Sequence, residues 1–81
     1  MINKLLNKME GAYAENTIKA YRADFEVFAN WCKSNDLCPL PAEPETICDF
    51  ITFDMQTSTA STIRRRMASI RRIHKLARAN D

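Results

Sequence analysis

The residues with the clearest chemical potential in this sequence are the cations near its end. Residues 58–81 carry seven Lys and Arg residues against one acid, Asp81, whereas residues 36–57 carry five acids and no base. The two segments therefore have net charges of +6 and −5, although the whole 81-residue chain carries only +2. A basic end on an otherwise balanced chain indicates a polyanionic partner that touches one side of the protein.

These cations fall on one face of a predicted helix that runs from about Ala60 to Ala77. Its inward face is apolar, and six cations share its solvated face: Arg64, Arg71, Lys75 and Arg78 together, with Arg65 and Arg72 continuing the arc. Phosphates relieve the repulsion among such charges, and the guanidinium fork suits guanine edges in a DNA major groove. The alternative is a merely soluble helix, because basic helix faces are common.

A second candidate surface lies on a helix predicted from Glu15 to about Lys33. Opposite its core stripe lies a small-residue surface with one lysine, made by Asn16, Lys19, Ala20, Ala23 and Val27. Small side chains let a helix approach a groove closely, and Thr17 and Lys19 lie at the helix N-terminus, where backbone N–H groups favour phosphate. The alternative is an ordinary exposed face that contains alanines.

Catalytic and metal-binding arrangements are not found in the sequence. His74 is the single histidine, and it adjoins the apolar arc of its helix, where a packed or boundary histidine is the more common case. Cys32, Cys38 and Cys48 lack the paired spacing of a zinc site or a disulfide framework, so we expect free thiols and no metal. No Gly-rich phosphate loop occurs. We expect no enzymatic activity, no cofactor and no small-molecule ligand.

The remaining pattern predicts an all-α fold, a compact bundle of four helices in one domain that covers residues 1–81. The first helix runs from about Asn3 to Met9, and the third opens at Pro44, which suits a first helical position, and runs to about Phe53. A Ser or Thr of residues 57–59 is expected to cap the fourth. The core positions are Ile18, Tyr21, Phe25, Phe28, Cys32, Ile47, Phe50, Ile51, Ile63, Met67, Ile70, Ile73 and Ala77. With no secretory signal and no long apolar run, we expect a cytoplasmic protein without membrane contact.

Several strings resemble, in order and spacing, the N-terminal core-binding (SAM-like) domain of the tyrosine recombinase or phage integrase family. They are the segments 15–25, 28–32, 41–46, 61–67 and 70–74, which read ENTIKAYRADF, FANWC, PAEPET, STIRRRM and IRRIH. The resemblance covers roughly Met9 to Arg78. It implies a domain of four or five helices that forms half of a clamp on double-stranded DNA during site-specific recombination or integration.

The resemblance also implies which residues face DNA. The second and fourth predicted helices present their exposed faces to the major groove, so the resemblance implies DNA contacts from Thr17, Lys19, Ala20, Ala23, Ser61, Arg64, Arg65, Ser69, Arg72 and Lys75. The cationic face of the fourth predicted helix adds Arg71 to the expected DNA-binding residues. We expect phosphate contacts from Arg64, Arg71, Lys75 and Lys19, and base contacts from Arg65 and Arg72.

Other features of the family are expected outside this chain or at its start. The catalytic residues would belong to a domain that follows Asp81. The first helix would help neighbouring recombinase protomers to associate on DNA through Leu5, Leu6 and Met9, or these side chains only fill the core.

Asp54 stands where the family is usually apolar, and Arg66 lies on the inward arc of its helix, so we expect these two misplaced charges to pair.

Two other classes of function remain open. A helical protein-interaction module would bind a partner through the surface of residues 5–9 or the acidic third helix and would not bind DNA. A stand-alone enzyme would need an acid–base or nucleophile constellation that this sequence lacks.

Overall fold

The computed structural model describes residues 15–79, and this part of the chain contains three α-helices. Helix α1 spans Glu15–Ser34, α2 spans Pro44–Asp54 and α3 spans Ala60–Ala79. They confirm the second, third and fourth predicted helices and the all-α class, and residues 15–79 contain no strand. The first predicted helix, with Leu5, Leu6 and Met9, lies outside the described residues, so the count of four helices stays a prediction.

Helix α1 ends in a backbone motif that turns the chain sharply. Asp36 has a φ of 56°, in the left-handed region that Asp tolerates better than most residues. The amide of Leu37 donates to the carbonyl of Cys32 at 2.8 Å, and that of Asp36 donates to Lys33 at 3.3 Å. This pair of bonds is a Schellman motif, which satisfies carbonyls that the last turn of a helix leaves without partners.

The other two helices begin as the sequence predicts. Pro44 opens α2, where its missing N–H is no loss. The hydroxyl oxygen of Thr59 accepts the amide hydrogen of Thr62 at 3.2 Å and so caps α3. The loop of residues 55–59 therefore supplies the predicted Thr cap, and it sets the direction in which α3 runs.

Aromatic rings from α1 and α2 pack against isoleucines of α3 to form the core. Phe28 and Phe50 are fully buried, with their ring centroids 5.1 Å apart in an edge-on arrangement. Ile70 and Ile73 of α3 are also fully buried in the same cluster. Edge-on aromatic pairs add to the burial energy, so this cluster, to which all three helices contribute, determines which helix faces remain outside.

The buried arc of α3 is rotated relative to the prediction. Met67, predicted to face inward, is 36% exposed, whereas Ser69, predicted to lie on the exposed face, is 2% exposed. The arc centres on Ile73, because Asp24 of α1 accepts a hydrogen bond from the Ser69 hydroxyl at 2.7 Å and draws that side of the helix inward. The predicted exposure of Ser69 and the predicted burial of Met67 are therefore both wrong.

The predicted pairing of Asp54 with Arg66 is confirmed. Nη1 of Arg66 donates to Oδ1 of Asp54 at 2.6 Å, and the two side chains are only 18% and 4% exposed. The hydroxyl of Ser58 donates to the same carboxylate oxygen, also at 2.6 Å, and accepts a bond from Arg66. The end of α2, the loop and α3 are thus joined through one buried carboxylate.

His74 holds the segment that leads into α2. Its Nε2 accepts the amide hydrogen of Ala42 at 2.9 Å, and its Nδ1 lies 2.8 Å from the carbonyl oxygen of Ile70. Nδ1 therefore carries the hydrogen and donates it, while Nε2 is unprotonated. The half-buried ring also lies near Phe25, with centroids 6.3 Å apart, so this histidine is the packed boundary residue that the sequence favours.

We expect Arg66→Ala to lower the free energy of unfolding by about 3 kcal/mol, because it leaves the buried carboxylate of Asp54 without its counterion. Urea unfolding followed by circular dichroism measures this change. Arg64→Ala, on the exposed face of the same helix, is the matched control and should stay within about 0.5 kcal/mol. A coupling between Asp54 and Arg66 below the few tenths of a kcal/mol typical of exposed pairs, in a double-mutant cycle, would contradict the pairing.

We expect His74→Phe to raise the hydrogen-exchange rate of the Ala42 amide, because phenylalanine keeps a ring beside Phe25 but has no acceptor for that hydrogen. The cost in unfolding free energy should be about 1–3 kcal/mol, the range for a polar group left without its partner. NMR-detected exchange measures both the amide and its neighbours. An unchanged rate at Ala42 would show that the histidine acts only through packing.

Candidate nucleic-acid interface

One strip of the exposed surface of α1 carries mostly small side chains. Ala20 and Ala23 are exposed, as are Asn16 and Lys19 near the start of the helix, while Thr17 is half-buried. Because Ala20, Ala23 and Val27 lie three or four positions apart, they share one side of the helix. The structure therefore has an exposed surface of small side chains at the position that the sequence predicts.

The exposed face of α3 carries the largest group of cations. Its exposed residues include Ser61, Arg64, Arg71, Lys75 and Arg78, while Arg72 is half-buried. Cations on one helix face are a typical footprint for a polyanion, because each bound phosphate releases condensed counterions. The predicted phosphate-binding positions of this helix are thus all accessible.

Some of these cations border a groove beside α2. The groove has a volume of about 700 Å³ and is lined by apolar and cationic side chains: Ala42, Pro44, Ile47, Cys48, Ala68, Arg71, Arg72, His74, Lys75 and Arg78. The N-terminal part of α2 thus forms one wall, and the C-terminal half of α3 forms the other. Arg78 was not among the predicted binding residues, although it stands at helical spacing from Arg71 and Lys75.

Arg65 is held by a buried carboxylate of the neighbouring helix. Nε of Arg65 lies 3.2 Å from both oxygens of Asp24, and Nη2 donates to Oδ1 at 3.0 Å. The hydrogen bond to Asp24 and its negative charge both raise the pKa of Arg65. The Arg65 side chain is nevertheless 59% exposed. This arginine is therefore both tied to α1 and open to solvent.

Sequence reasoning missed Asp24, and a signal for it was present. Asp24 lies three residues after Tyr21 and four before Phe28, which places an acid at the edge of the predicted core stripe of α1. The same kind of signal, a charge on an inward face, indicated Arg66, whereas Asp54 was indicated by the resemblance, since the family is usually apolar at that position. The hydroxyl of Ser69 donates a hydrogen bond to Asp24, so it points into the protein and does not lie on the exposed face.

The sulfur and nitrogen side chains do not converge on a metal site. Cys32 is buried, Cys38 and Cys48 are exposed, and all three are free. Within residues 15–79, no group of three or more His, Cys, Asp or Glu side chains is arranged to hold a metal ion. In the same range, none of the helices combines the length and apolar character needed to cross a membrane.

Comparison with known proteins gives two matches. The family model for the phage integrase N-terminal SAM-like domain matches residues 4–81. An integrase/recombinase xerD homolog of Selenomonas ruminantium is 37% identical over 71 residues, which are 88% of this chain and 21% of that protein. The chain thus spans about a fifth of the length of this curated relative. No solved structure matches the chain significantly.

We expect two of the three thiols to react rapidly with a disulfide reagent such as DTNB at pH 8, and the third to react only on unfolding. Burial raises the pKa of Cys32, and the nearby Cys38 raises it further, so the fraction of reactive thiolate at Cys32 is reduced. Absorbance at 412 nm counts the released groups. Cys48→Ser, the control, should remove one fast-reacting group; rapid reaction of all three thiols would contradict the burial of Cys32.

Proposed function

Because the chain belongs to the phage integrase N-terminal SAM-like domain family, a domain of tyrosine recombinases, we propose that it binds double-stranded DNA through the exposed faces of α1 and α3. The observation that carries this proposal is the set of exposed cations along α3, namely Arg64, Arg71, Lys75 and Arg78. A major groove is wide enough to admit a helix. The exposed alanines of α1 support a second close approach to DNA.

The two helices contribute different interactions to this proposal. Arg64, Arg71 and Lys75 contact phosphates, and Lys19 in the first turns of α1 does the same, because backbone N–H groups near a helix N-terminus favour anions. Arg65 and Arg72 lie toward the base edges. Phosphate contacts supply most of the affinity and set the register of the protein on the duplex, whereas base contacts supply sequence preference.

The whole protein, in this proposal, is a site-specific tyrosine recombinase that breaks and rejoins DNA. Residues 1–81 form a single DNA-binding domain that is not itself an enzyme, and the catalytic residues lie in another part of the protein. The matched relative, named as an integrase/recombinase, is about five times longer than the aligned segment. Neighbouring recombinase protomers on the same DNA are the second class of partner, and Leu5, Leu6 and Met9 are the proposed contacts.

A helical protein-interaction module is the second candidate, and one observation favours it. Val27 and Phe53 are 38% and 48% exposed, and with Trp31 they line a shallow groove of about 450 Å³ between α1 and α2. Exposed apolar patches are typical of protein contacts. A surface of this kind would bind independently of salt, which separates it from the DNA-binding proposal.

We expect the affinity of the chain for a random-sequence 20-base-pair duplex to fall steeply with salt. Fluorescence anisotropy across a series of salt concentrations gives the slope of log K against log salt. Changing Arg64, Arg71 and Lys75 together to alanine should reduce the magnitude of that slope by up to about 2.7, at roughly 0.9 for each lost phosphate contact. Absence of binding at low salt would favour the protein-interaction module.

A matched pair of single variants tests the location of the contacts. Arg71→Ala lies on the proposed surface, whereas Lys33→Ala removes the same charge from the last turn of α1. Only Arg71→Ala should reduce the magnitude of the slope by about 0.9, the value for one phosphate contact. Equal losses from both variants would mean that net charge, and not this face, determines binding.

A further inference from the structure

We propose that Asp24 is a positioning residue that fixes Arg65 so that the outer edge of its guanidinium reads a guanine in the DNA major groove. The proposal rests on the DNA-binding function above and assigns a specificity-determining pair within it. The proposal starts from the bond between the buried Asp24 of α1 and the exposed Arg65 of α3. The packing of apolar side chains between the helices does not by itself explain a charged pair at this position.

The hydrogen bonds show which edge of Arg65 is occupied. Asp24 accepts from Nε and from Nη2, which are the donors along one side of the guanidinium. No hydrogen bond from Nη1 of Arg65 occurs among the described residues. A guanidinium has five N–H donors in a fixed fork, so one hydrogen of Nη1 and the outer hydrogen of Nη2 remain available at the far edge.

The available edge has the geometry of a base reader. A pair of parallel N–H donors matches O6 and N7 of guanine, and this bidentate contact is the commonest specific one in the major groove. Because Asp24 already occupies the side of the fork, the guanidinium cannot turn freely toward whichever phosphate is nearest. The carboxylate also offsets part of the positive charge, which weakens sequence-independent attraction relative to the directional contact.

Asp24 is itself held rigidly. It is 2% exposed, it lies at the edge of the core stripe of α1, and it accepts a further hydrogen bond from Ser69 at 2.7 Å. Both elements of the pair therefore belong to packed helices, and precise placement of a binding group requires such support.

The position of Arg65 also fits a base contact. Ala20 lies four residues before Asp24 and Val27 lies three residues after it, so both border Asp24 on α1. Ala20 and Ala23 are exposed and small. An arginine bonded to Asp24 therefore emerges beside the surface where α1 can approach DNA most closely, which is where a side chain must lie to reach base edges.

The test is a binding selection of the 81-residue chain on a duplex pool with ten randomised base pairs, followed by sequencing. Every variant is assayed at a temperature where circular dichroism shows it folded. The unaltered chain should enrich guanine at one position. Asp24→Asn should reduce that preference by about 5- to 140-fold, the loss of one bidentate base contact, while its affinity for the unselected pool stays equal or rises, because a negative charge is gone.

Two further variants distinguish positioning from structure. Arg65→Lys keeps the charge but lacks the fork, so it should lose the guanine preference and retain binding to the pool. Asp54→Asn perturbs the other buried carboxylate, away from the proposed contact, and should lower stability without changing the preference.

The outcomes separate this inference from the proposed function. Salt-dependent binding with no guanine enrichment, or an enrichment that survives Asp24→Asn or Arg65→Lys, would overturn the positioning role and leave the DNA-binding proposal standing. A uniform loss of affinity for all sequences in Asp24→Asn would also overturn it. No binding of the unaltered chain at low salt would remove both.

Discussion

The placement of α3 depends on two neighbouring arginines that bond to different helices. Arg65 bonds to Asp24 of α1, and Arg66 bonds to Asp54 at the end of α2. Successive residues of an α-helix point about 100° apart, so two adjacent arginines of α3 can reach two different helices, α1 and α2. Because buried carboxylates are costly without a partner, α3 is held in one rotation about its axis, and that rotation determines which cations stay outside.

The helices were predictable because local chemistry sets their ends. Pro44 and Thr59 act on the residues next to them, and the stripe of Phe25, Phe28 and Cys32 repeats at helical spacing. The rotation of α3 was less predictable, since apolar spacing alone cannot reveal that Ser69 finds a carboxylate on another helix. Met67 is exposed for the same reason: a polar contact between helices outweighs one apolar side chain at the edge of the arc.

The candidate surface was predictable as a face but not in its internal organisation. The sequence predicts the inward position of Arg66 and its pairing with Asp54, but it groups Arg65 with exposed cations such as Arg64, although Arg65 bonds to Asp24. Charge patterning therefore does not distinguish an arginine that a carboxylate holds in place from one that extends freely into solvent. The difference arises from Asp24 and Asp54, whose buried positions depend on how the three helices pack and not on their own neighbours in the chain.

The cluster of Asp24, Arg65 and Ser69 has a consequence for how this domain diverges during evolution. Any one substitution leaves a buried carboxylate or a tethered arginine without its partner, so a lineage that replaces Arg65 is under pressure to replace Asp24 with an uncharged residue. The three positions lie far apart in the chain but are expected to vary together among relatives. A change of DNA target through this helix would then require coordinated substitutions on two helices, which slows drift at these positions while leaving the exposed cations free to change singly.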